Sequence, residues 1–137
     1  MAENSAKSNR SLGRAGESIA CDHLIKNGFS IIKRNYTVRG GEIDIIAENE
    51  KYIIFVEVKT RSAGHSVEKY GRGASAVNSA KKEHFVFAVK SYLRAFPTEK
   101  KPRIDVIEIT LEDFDGCVAA KISHYPNAFG DRRSSDA

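Results

Sequence analysis

The chain has 137 residues, of which 41% are hydrophobic and 29% charged, and its formal net charge is +4. A chain of this length can bury a core as one domain without disulfides or a structural metal. Its positive charge suits an anionic partner without proving one. No apolar run approaches the ~18 residues that a membrane span needs, and residues 1–10 lack the apolar segment of a signal peptide. We therefore expect a soluble, cytoplasmic protein.

The two cysteines, Cys21 and Cys117, stand far apart in the chain and form no Cys-x-x-Cys motif. This spacing indicates neither a zinc cluster nor a redox pair. Reduced thiols in a cytosolic protein are the simpler interpretation.

Hydrophobic periodicity and turn residues divide the chain into seven elements. In chain order they are a helix over residues 11–27, strands over residues 29–38, 42–48 and 51–60, a helix over residues 76–95, and strands over residues 104–111 and 117–124. Residues 62–75, rich in glycine, are predicted to be a mobile loop. Residues 11–129 are predicted to form a single domain between disordered tails at 1–10 and 130–137. The order α-β-β-β-α-β-β predicts an α/β or α+β fold with a mixed sheet.

The first helix is predicted to begin at Ser11, as its N-cap, and to stop at Gly28. One stripe at helical spacing carries small and apolar residues, which would allow close approach to a sheet. Its members are Gly13, Glu17, Ala20 and Leu24. Glu17 is the charged exception on this stripe.

Three charged residues, Asp44, Glu57 and Lys59, stand on two neighbouring predicted strands. Alternation predicts two faces for the second strand: Ile43, Ile45 and Ala47 on one, and Glu42, Asp44 and Ile46 on the other. In the third strand Phe55, Glu57 and Lys59 share a face. Hairpin pairing then brings Asp44 beside Glu57, with Lys59 about 7 Å further along.

Two carboxylates on one sheet face repel each other unless a cation lies between them. Mg²⁺ or Mn²⁺, which prefers oxygen ligands, is the cation that this pair predicts, with Asp44 and Glu57 as ligands. Such an ion would polarise a phosphodiester and acidify a bound water. Lys59 would orient or deprotonate the attacking water, or stabilise the phosphorane.

The same spacing also has a simpler interpretation. Glu99 and Lys101 repeat the Glu-x-Lys pattern in a segment flanked by prolines, and Glu57 with Lys59 can be a surface ion pair. Against this, residues 52–58 are apolar on both faces of the strand, so Glu57 belongs to a buried element. Burying a charge is costly, so its presence there indicates a specific role. Glu17 offers a third carboxylate to the same region.

Residues 40–44 (Gly-Gly-Glu-Ile-Asp) and 55–61 (Phe-Val-Glu-Val-Lys-Thr-Arg) together resemble the signature of the YraN-like bacterial proteins. The resemblance runs from about residue 13 to residue 129. Further matching positions are Gly16, Glu17, Ala20, Leu24, Asn35, Tyr36, Lys81, Ala88, Tyr92, Leu93, residues 103–106 and residues 127–129. That family is similar to the PD-(D/E)xK nucleases, which include Holliday-junction resolvases and restriction endonucleases.

The resemblance implies a restriction-endonuclease-like mixed sheet flanked by helices. It makes Asp44 and Glu57 the metal ligands, Lys59 the catalytic lysine, and Glu17 a helix carboxylate that completes the metal site. Ile43 precedes Asp44, so the literal Pro-Asp of the superfamily name is absent. Cleavage that leaves 5′-phosphates is the implied chemistry.

Basic residues near the predicted site divide into two groups. Arg61 and Lys81 are predicted to hold nucleic-acid phosphates, an affinity that reads no sequence. Arg72 and Lys82 are interpreted as solvated charges. The histidines receive no catalytic role: His65 is assigned to an exposed loop, and His84 and His124 are interpreted as structural.

The sequence therefore predicts a Mg²⁺-dependent endonuclease that acts on DNA rather than RNA and selects a structure rather than a sequence, since no base-reading module is visible. A resolvase-like role would require a symmetric homodimer. The alternative is a non-catalytic nucleic-acid-binding protein on the same fold, and a protein–protein adaptor is a third reading.

Overall fold

The computed structural model describes the backbone of residues 2–62, 67–114 and 116–128. The elements are α1 (Ala2–Lys26), β1 (Ser30–Val38), β2 (Gly41–Glu48), β3 (Tyr52–Ser62), α2 (Val67–Ala95), β4 (Lys101–Phe114) and β5 (Cys117–Tyr125). This order confirms the predicted α-β-β-β-α-β-β arrangement and its fold class, a mixed sheet flanked by helices. Neither described helix combines the length and the apolar character that crossing a bilayer requires.

The five strands lie in one sheet in chain order, β1-β2-β3-β4-β5. Only β3 and β4 are parallel, and the other neighbouring pairs are antiparallel. Parallel neighbours need a long connection, and α2 supplies it. The two parallel strands therefore form the centre of the sheet, and β3 carries Glu57 and Lys59 there.

Each face of the sheet packs against one helix. The α1-side core consists of Ala20, Cys21, Leu24, Ile45, Ala47, Ile54, Val56, Ile107 and Ile109. The α2-side core consists of Ile43, Ile46, Ile53, Phe55, Phe85, Ala88, Val89 and Tyr92. Burial on both faces explains why the central strands are almost continuously apolar.

Helix α1 begins at Ala2, so the prediction of Ser11 as its N-cap is wrong and Ser11 lies inside the helix. The reason is that residues 2–10 contain no proline or glycine and several good helix formers, so nothing in them stops the helix. The predicted C-terminal stop is confirmed, because α1 ends at Lys26 and Gly28 takes a left-handed φ of 89°.

Helix α2 begins at Val67, nine residues before the predicted start at Ala76. The prediction of a loop through residue 75 is therefore wrong over residues 67–75. Each glycine in a helix costs about 1 kcal/mol, which weakens a helix without forbidding it. Residues 63–66 and the predicted tail at 130–137 lie outside the described residues.

Strand β4 also begins earlier than predicted, at Lys101, so Pro102 belongs to a strand rather than to the connection before it. Pro102 faces Ile53 of β3, whereas β5 pairs with β4 only from Val106 onward. A proline without an N–H is tolerated at a strand position with a neighbour on one side only.

Gly16 lets α1 lie against β3 at the strand's carboxyl end. A Cβ built on Gly16 would overlap the side chain of Thr60, whereas a Cβ on Gly13, one turn earlier, would meet nothing within 4 Å. The packing therefore needs Gly16, which is not on the predicted stripe, whereas it does not need Gly13, which is on it.

We expect Gly16→Ala to lower the free energy of unfolding by about 1–3 kcal/mol, because the added methyl overpacks the contact with Thr60. Gly13→Ala is the matched control and should raise the free energy of unfolding by about 0.5–1 kcal/mol through helix propensity alone. Urea denaturation of both variants measures the difference. Equal stabilities would contradict the close approach of α1 to β3.

Candidate active site

The ladder between β2 and β3 ends where the predicted site begins. Its last paired positions are Ile45 with Val56, and the next pair in the same register would be Asp44 with Glu57. The two strands thus stop pairing at the two carboxylates. The carboxylates stand at the open end of the hairpin, beyond its last paired residues.

The side-chain alternation of β2 is interrupted at Asp44. Ile45 packs in the α1-side core, but Ile43 packs in the α2-side core, so the prediction that both share a face is wrong. The ladder with β1 lacks a pair at the same point, and Asn35, which would face Asp44, has a left-handed φ of 53°. A left-handed residue rotates the strand, and asparagine tolerates this conformation better than most residues.

Asp44 is largely buried and accepts a hydrogen bond of 2.8 Å from the backbone N–H of Val58 through Oδ2. Burial raises the pKa of Asp44 from 3.8 to about 6, against the lowering effect of the Val58 bond. The nearby carboxylates Glu17, Glu42 and Glu57 raise the pKa further. Burial and the neighbouring carboxylates therefore both disfavour the charged form of Asp44.

Glu57 is 6% exposed and lies on the face of β3 that packs towards α2. Its Oε1 lies 3.4 Å from Nζ of Lys81, a residue of α2. The prediction placed Lys81 near nucleic-acid phosphate, and the structure joins it to a carboxylate of the site. Asp44, Glu57 and Lys81 all line one cleft.

This cleft has a volume of about 490 Å³ and opens between the β1–β2 turn and α2. The remaining lining residues are Thr37, Val38, Gly40, Gly41, Glu42, His84 and Phe85. Gly41 allows the close approach, because a Cβ there would overlap the backbone carbonyl of His84. His84, interpreted from the sequence as structural, is exposed and faces the cleft. His84 follows Lys81 by three residues on α2, and this helical spacing was the sequence signal that could have placed His84 beside Lys81.

Lys59 continues the alternation of β3, which is regular through the ladder with β4, and therefore lies on the same face as Glu57. Its neighbour in the register is Glu108 of β4. Arg61, two residues further, forms an ion pair of 3.5 Å with Glu108. The structure thus confirms the shared face of Glu57 and Lys59, and it places Arg61 against a carboxylate next to Lys59.

Glu17 reaches the region from α1, on the opposite side of the sheet. It lies 3.8 Å from Arg34 of β1 and contributes to the raised pKa of Asp44, but it does not line the cleft. Among the residues that the structure describes, no three His, Cys, Asp or Glu side chains converge closely enough to hold an ion together. Of the three predicted carboxylate ligands, Asp44 and Glu57 line the cleft.

The family model of "Uncharacterised protein family UPF0102" matches residues 16–109 of the chain. The chain belongs to the UPF0102 family. Named relatives include a "UPF0102 protein" of Geobacter metallireducens, 43% identical over 122 residues that cover 88% of this chain and 93% of that protein. Another, from Chlorobium phaeobacteroides, is 42% identical over 124 residues that cover 86% of this chain and 93% of that protein.

The resemblance to the YraN-like proteins is thereby confirmed at the level of the family. The stretch matched by the UPF0102 model contains all of the predicted site residues. They are Glu17, Asp44, Glu57, Lys59, Arg61 and Lys81. The names of these relatives state no activity.

A second buried carboxylate, Asp105 of β4, was not singled out by the sequence. It is fully buried and accepts bonds of 2.9 Å from Arg103 Nε and 3.0 Å from the backbone N–H of Asn127, both at Oδ1. Oδ2 lies 2.8 Å from His124 Nε2, and His124 Nδ1 lies 3.0 Å from His23 Nε2 of α1. The sequence signal that could have identified Asp105 is its position between apolar neighbours in a predicted strand.

The Asp105 network is structural in its chemistry. Burial alone would raise the pKa of Asp105, but the hydrogen bonds from His124, Arg103 and Asn127 together hold it below its ordinary value. A buried carboxylate with all of these donors needs no further cation. The network instead joins α1, β4 and the end of β5.

We expect Asp44→Asn to raise the free energy of unfolding at pH 7 by about 1–3 kcal/mol, because it removes a buried charge whose pKa is raised by about two units. The amide oxygen can still accept the bond from Val58. Since the folded state binds more protons than the unfolded state between pH 3.8 and about 6, the destabilising effect of Asp44 grows as the pH rises through that window.

Urea denaturation at pH 7 and pH 3.5 measures this effect, with Asp22→Asn, an exposed position on α1, as the control. The gain of Asp44→Asn should appear at pH 7 and vanish at pH 3.5, while the control stays near zero at both. A variant less stable than wild type at pH 7 would contradict the electrostatic cost of the site.

Proposed function

We propose that this UPF0102 protein is a metal-dependent endonuclease of the PD-(D/E)xK superfamily, which hydrolyses phosphodiester bonds in DNA in the cytoplasm. The observation that carries the proposal is the meeting of Asp44 and Glu57, from two strands that separate there, in one cleft. Lys59 on the same face completes the residue types that such chemistry requires.

The donor set fits a hard divalent cation such as Mg²⁺ or Mn²⁺. Both ligands are carboxylates, and such ions take oxygen donors and keep several waters, so two protein ligands suffice. Burial is the main cause of the raised pKa of Asp44, with a further contribution from the negative charge of nearby carboxylates, and a bound cation would stabilise the charged form. Glu17, which adds to this charge from α1, would act on the ion at longer range or through a water.

A bound divalent ion would supply polarisation of the scissile phosphate and a more acidic water. Asp44 and Glu57 would hold the ion, and the backbone N–H of Val58 fixes the Asp44 carboxylate relative to β3. Lys59 is one pleat beyond Glu57, where its ammonium would orient the attacking water or stabilise the charge that develops on phosphorus. Asp44 and Glu57 would thus bind the ion, and Lys59 would act on the water or on the phosphate.

The substrate class follows from the cleft and from the helices. Both described helices pack against the sheet, so neither is presented as a separate recognition helix for the major groove. Lys81 at the cleft, and Arg61 two residues beyond Lys59 on β3, would contact phosphate without reading bases. We therefore propose selectivity for a branched, flapped or single-stranded form rather than for a sequence, and two copies of the chain for any role in resolving a junction.

The proposal predicts Mg²⁺-dependent nicking of a panel of DNA forks, flaps, four-way junctions and single strands, with RNA equivalents in parallel. Asp44→Asn and Lys59→Met should each lower the rate by about 100-fold or more, because each removes a group that acts on the reacting phosphate or water. Lys90→Met, an exposed position on α2, is the matched control and should retain the wild-type rate. Equal cleavage by wild type and both site variants would overturn the nuclease proposal.

A non-catalytic nucleic-acid-binding protein is the second candidate. It is favoured by the absence of a third metal-binding side chain beside Asp44 and Glu57 in the described residues. Calorimetric titration with Mg²⁺ separates the two candidates: the nuclease predicts heat of binding in wild type and much weaker binding in Glu57→Gln. Retained oligonucleotide binding without any metal-binding heat would instead support the binding protein.

A further inference from the structure

The ion pair between Lys81 and Glu57 joins a buried group to an exposed one. The side chain of Glu57 is 8% exposed and that of Lys81 is 71% exposed, and 3.4 Å separates Oε1 from Nζ. The carboxylate is thus fixed on the central strand, while the ammonium reaches it from the edge of the cleft on a flexible stem. An ion pair of this kind contributes little to stability and separates easily.

Lys81 acts as a monovalent counter-ion to Glu57, whose carboxylate oxygens also suit a divalent cation. Glu57 cannot lie buried beside Asp44 without compensation, since like charges in a low dielectric repel strongly. Lys81 supplies part of that compensation as long as nothing else does. A divalent cation at Glu57 would repel the ammonium, because both would stand within a few ångströms of the same oxygen.

We propose that Lys81 is an exchangeable counter-ion, which neutralises Glu57 before metal binds and moves to a substrate phosphate once Glu57 holds a divalent ion. This inference rests on the proposed function, whose metal site it uses. Lys81 is a substrate-binding residue in this scheme, and it links metal binding to nucleic-acid binding through one movable charge.

Comparison with the other ion pairs near the site supports the assignment to Lys81. Arg61 pairs with Glu108, and Arg34 pairs with Glu17, but neither carboxylate lines the cleft. Lys81 and Glu57 both line it. An ammonium on a four-carbon stem can also swing from a carboxylate to a phosphate more readily than a guanidinium held in a planar, two-point contact.

A single substitution should then change two affinities in opposite directions. Lys81→Met keeps the length of the stem and removes the charge, so Mg²⁺ should bind about threefold to tenfold more tightly, as expected for one unit charge at this range in a solvated site. The same substitution should weaken binding to DNA and lower the slope of log affinity against log salt by about one.

Calorimetric titration with Mg²⁺ tests the first effect without any measurement of cleavage. Lys81→Arg should restore an affinity near that of wild type, and Lys90→Met, on the same helix away from the cleft, should leave it unchanged. In a Glu57→Gln background, Lys81→Met should have no effect on the residual Mg²⁺ affinity, because the carboxylate for which the two cations compete is gone.

Fluorescence anisotropy with a labelled DNA fork in Mg²⁺ tests the second effect, with Lys59→Met in every protein so that the substrate stays intact. Weaker DNA binding together with tighter metal binding in Lys81→Met supports the exchange. Unchanged Mg²⁺ affinity in Lys81→Met, in a wild type that binds Mg²⁺ and cleaves DNA, overturns this inference alone. Absence of Mg²⁺ binding in wild type and in Lys81→Met overturns the metal site and this inference together.

Discussion

The end of the β2–β3 ladder at Ile45 and Val56 is the constraint on which the site depends. If the hairpin continued in register, Asp44 and Glu57 would stand directly opposite each other with no room for a ligand. The strands part instead, while β2 turns its side chains at Asp44 opposite a left-handed Asn35. A single local departure from regular strand geometry thus opens the cleft and sets the direction of the carboxylate in it.

Among the described residues, Asp105 and Asp44 show how a carboxylate with several hydrogen-bond donors differs from one with a single donor. Asp105 receives donors from Arg103, His124 and Asn127, and its pKa is held below the ordinary value. Asp44 receives one backbone N–H, stands near three other carboxylates, and its pKa is raised to about 6. Burial is common to both, so burial alone does not identify the site. The two carboxylates differ instead in the donors that they receive and in the negative charge around them.

Sequence pattern predicted the elements because periodicity and glycine positions report local geometry directly. It placed Glu57 and Lys59 on one face correctly, since β3 is regular and fully paired with β4. It failed for Ile43, because strict alternation cannot anticipate the left-handed Asn35 across the ladder. The exposure of His84 and the contact of Lys81 with Glu57 depend on where α2 crosses the sheet, and no local pattern contains that distance.

The open end of the hairpin is held from both sides. Gly16 brings α1 against Thr60 of β3, and Gly41 brings β2 against the backbone of α2 at His84. Each contact requires a residue without a side chain, because a Cβ at either glycine would overlap its neighbour. Charges that repel each other can be kept at fixed positions only if the surrounding packing prevents their relaxation. The glycine contacts therefore stabilise the geometry that the carboxylates oppose, and the cation that we propose would relieve the repulsion that remains.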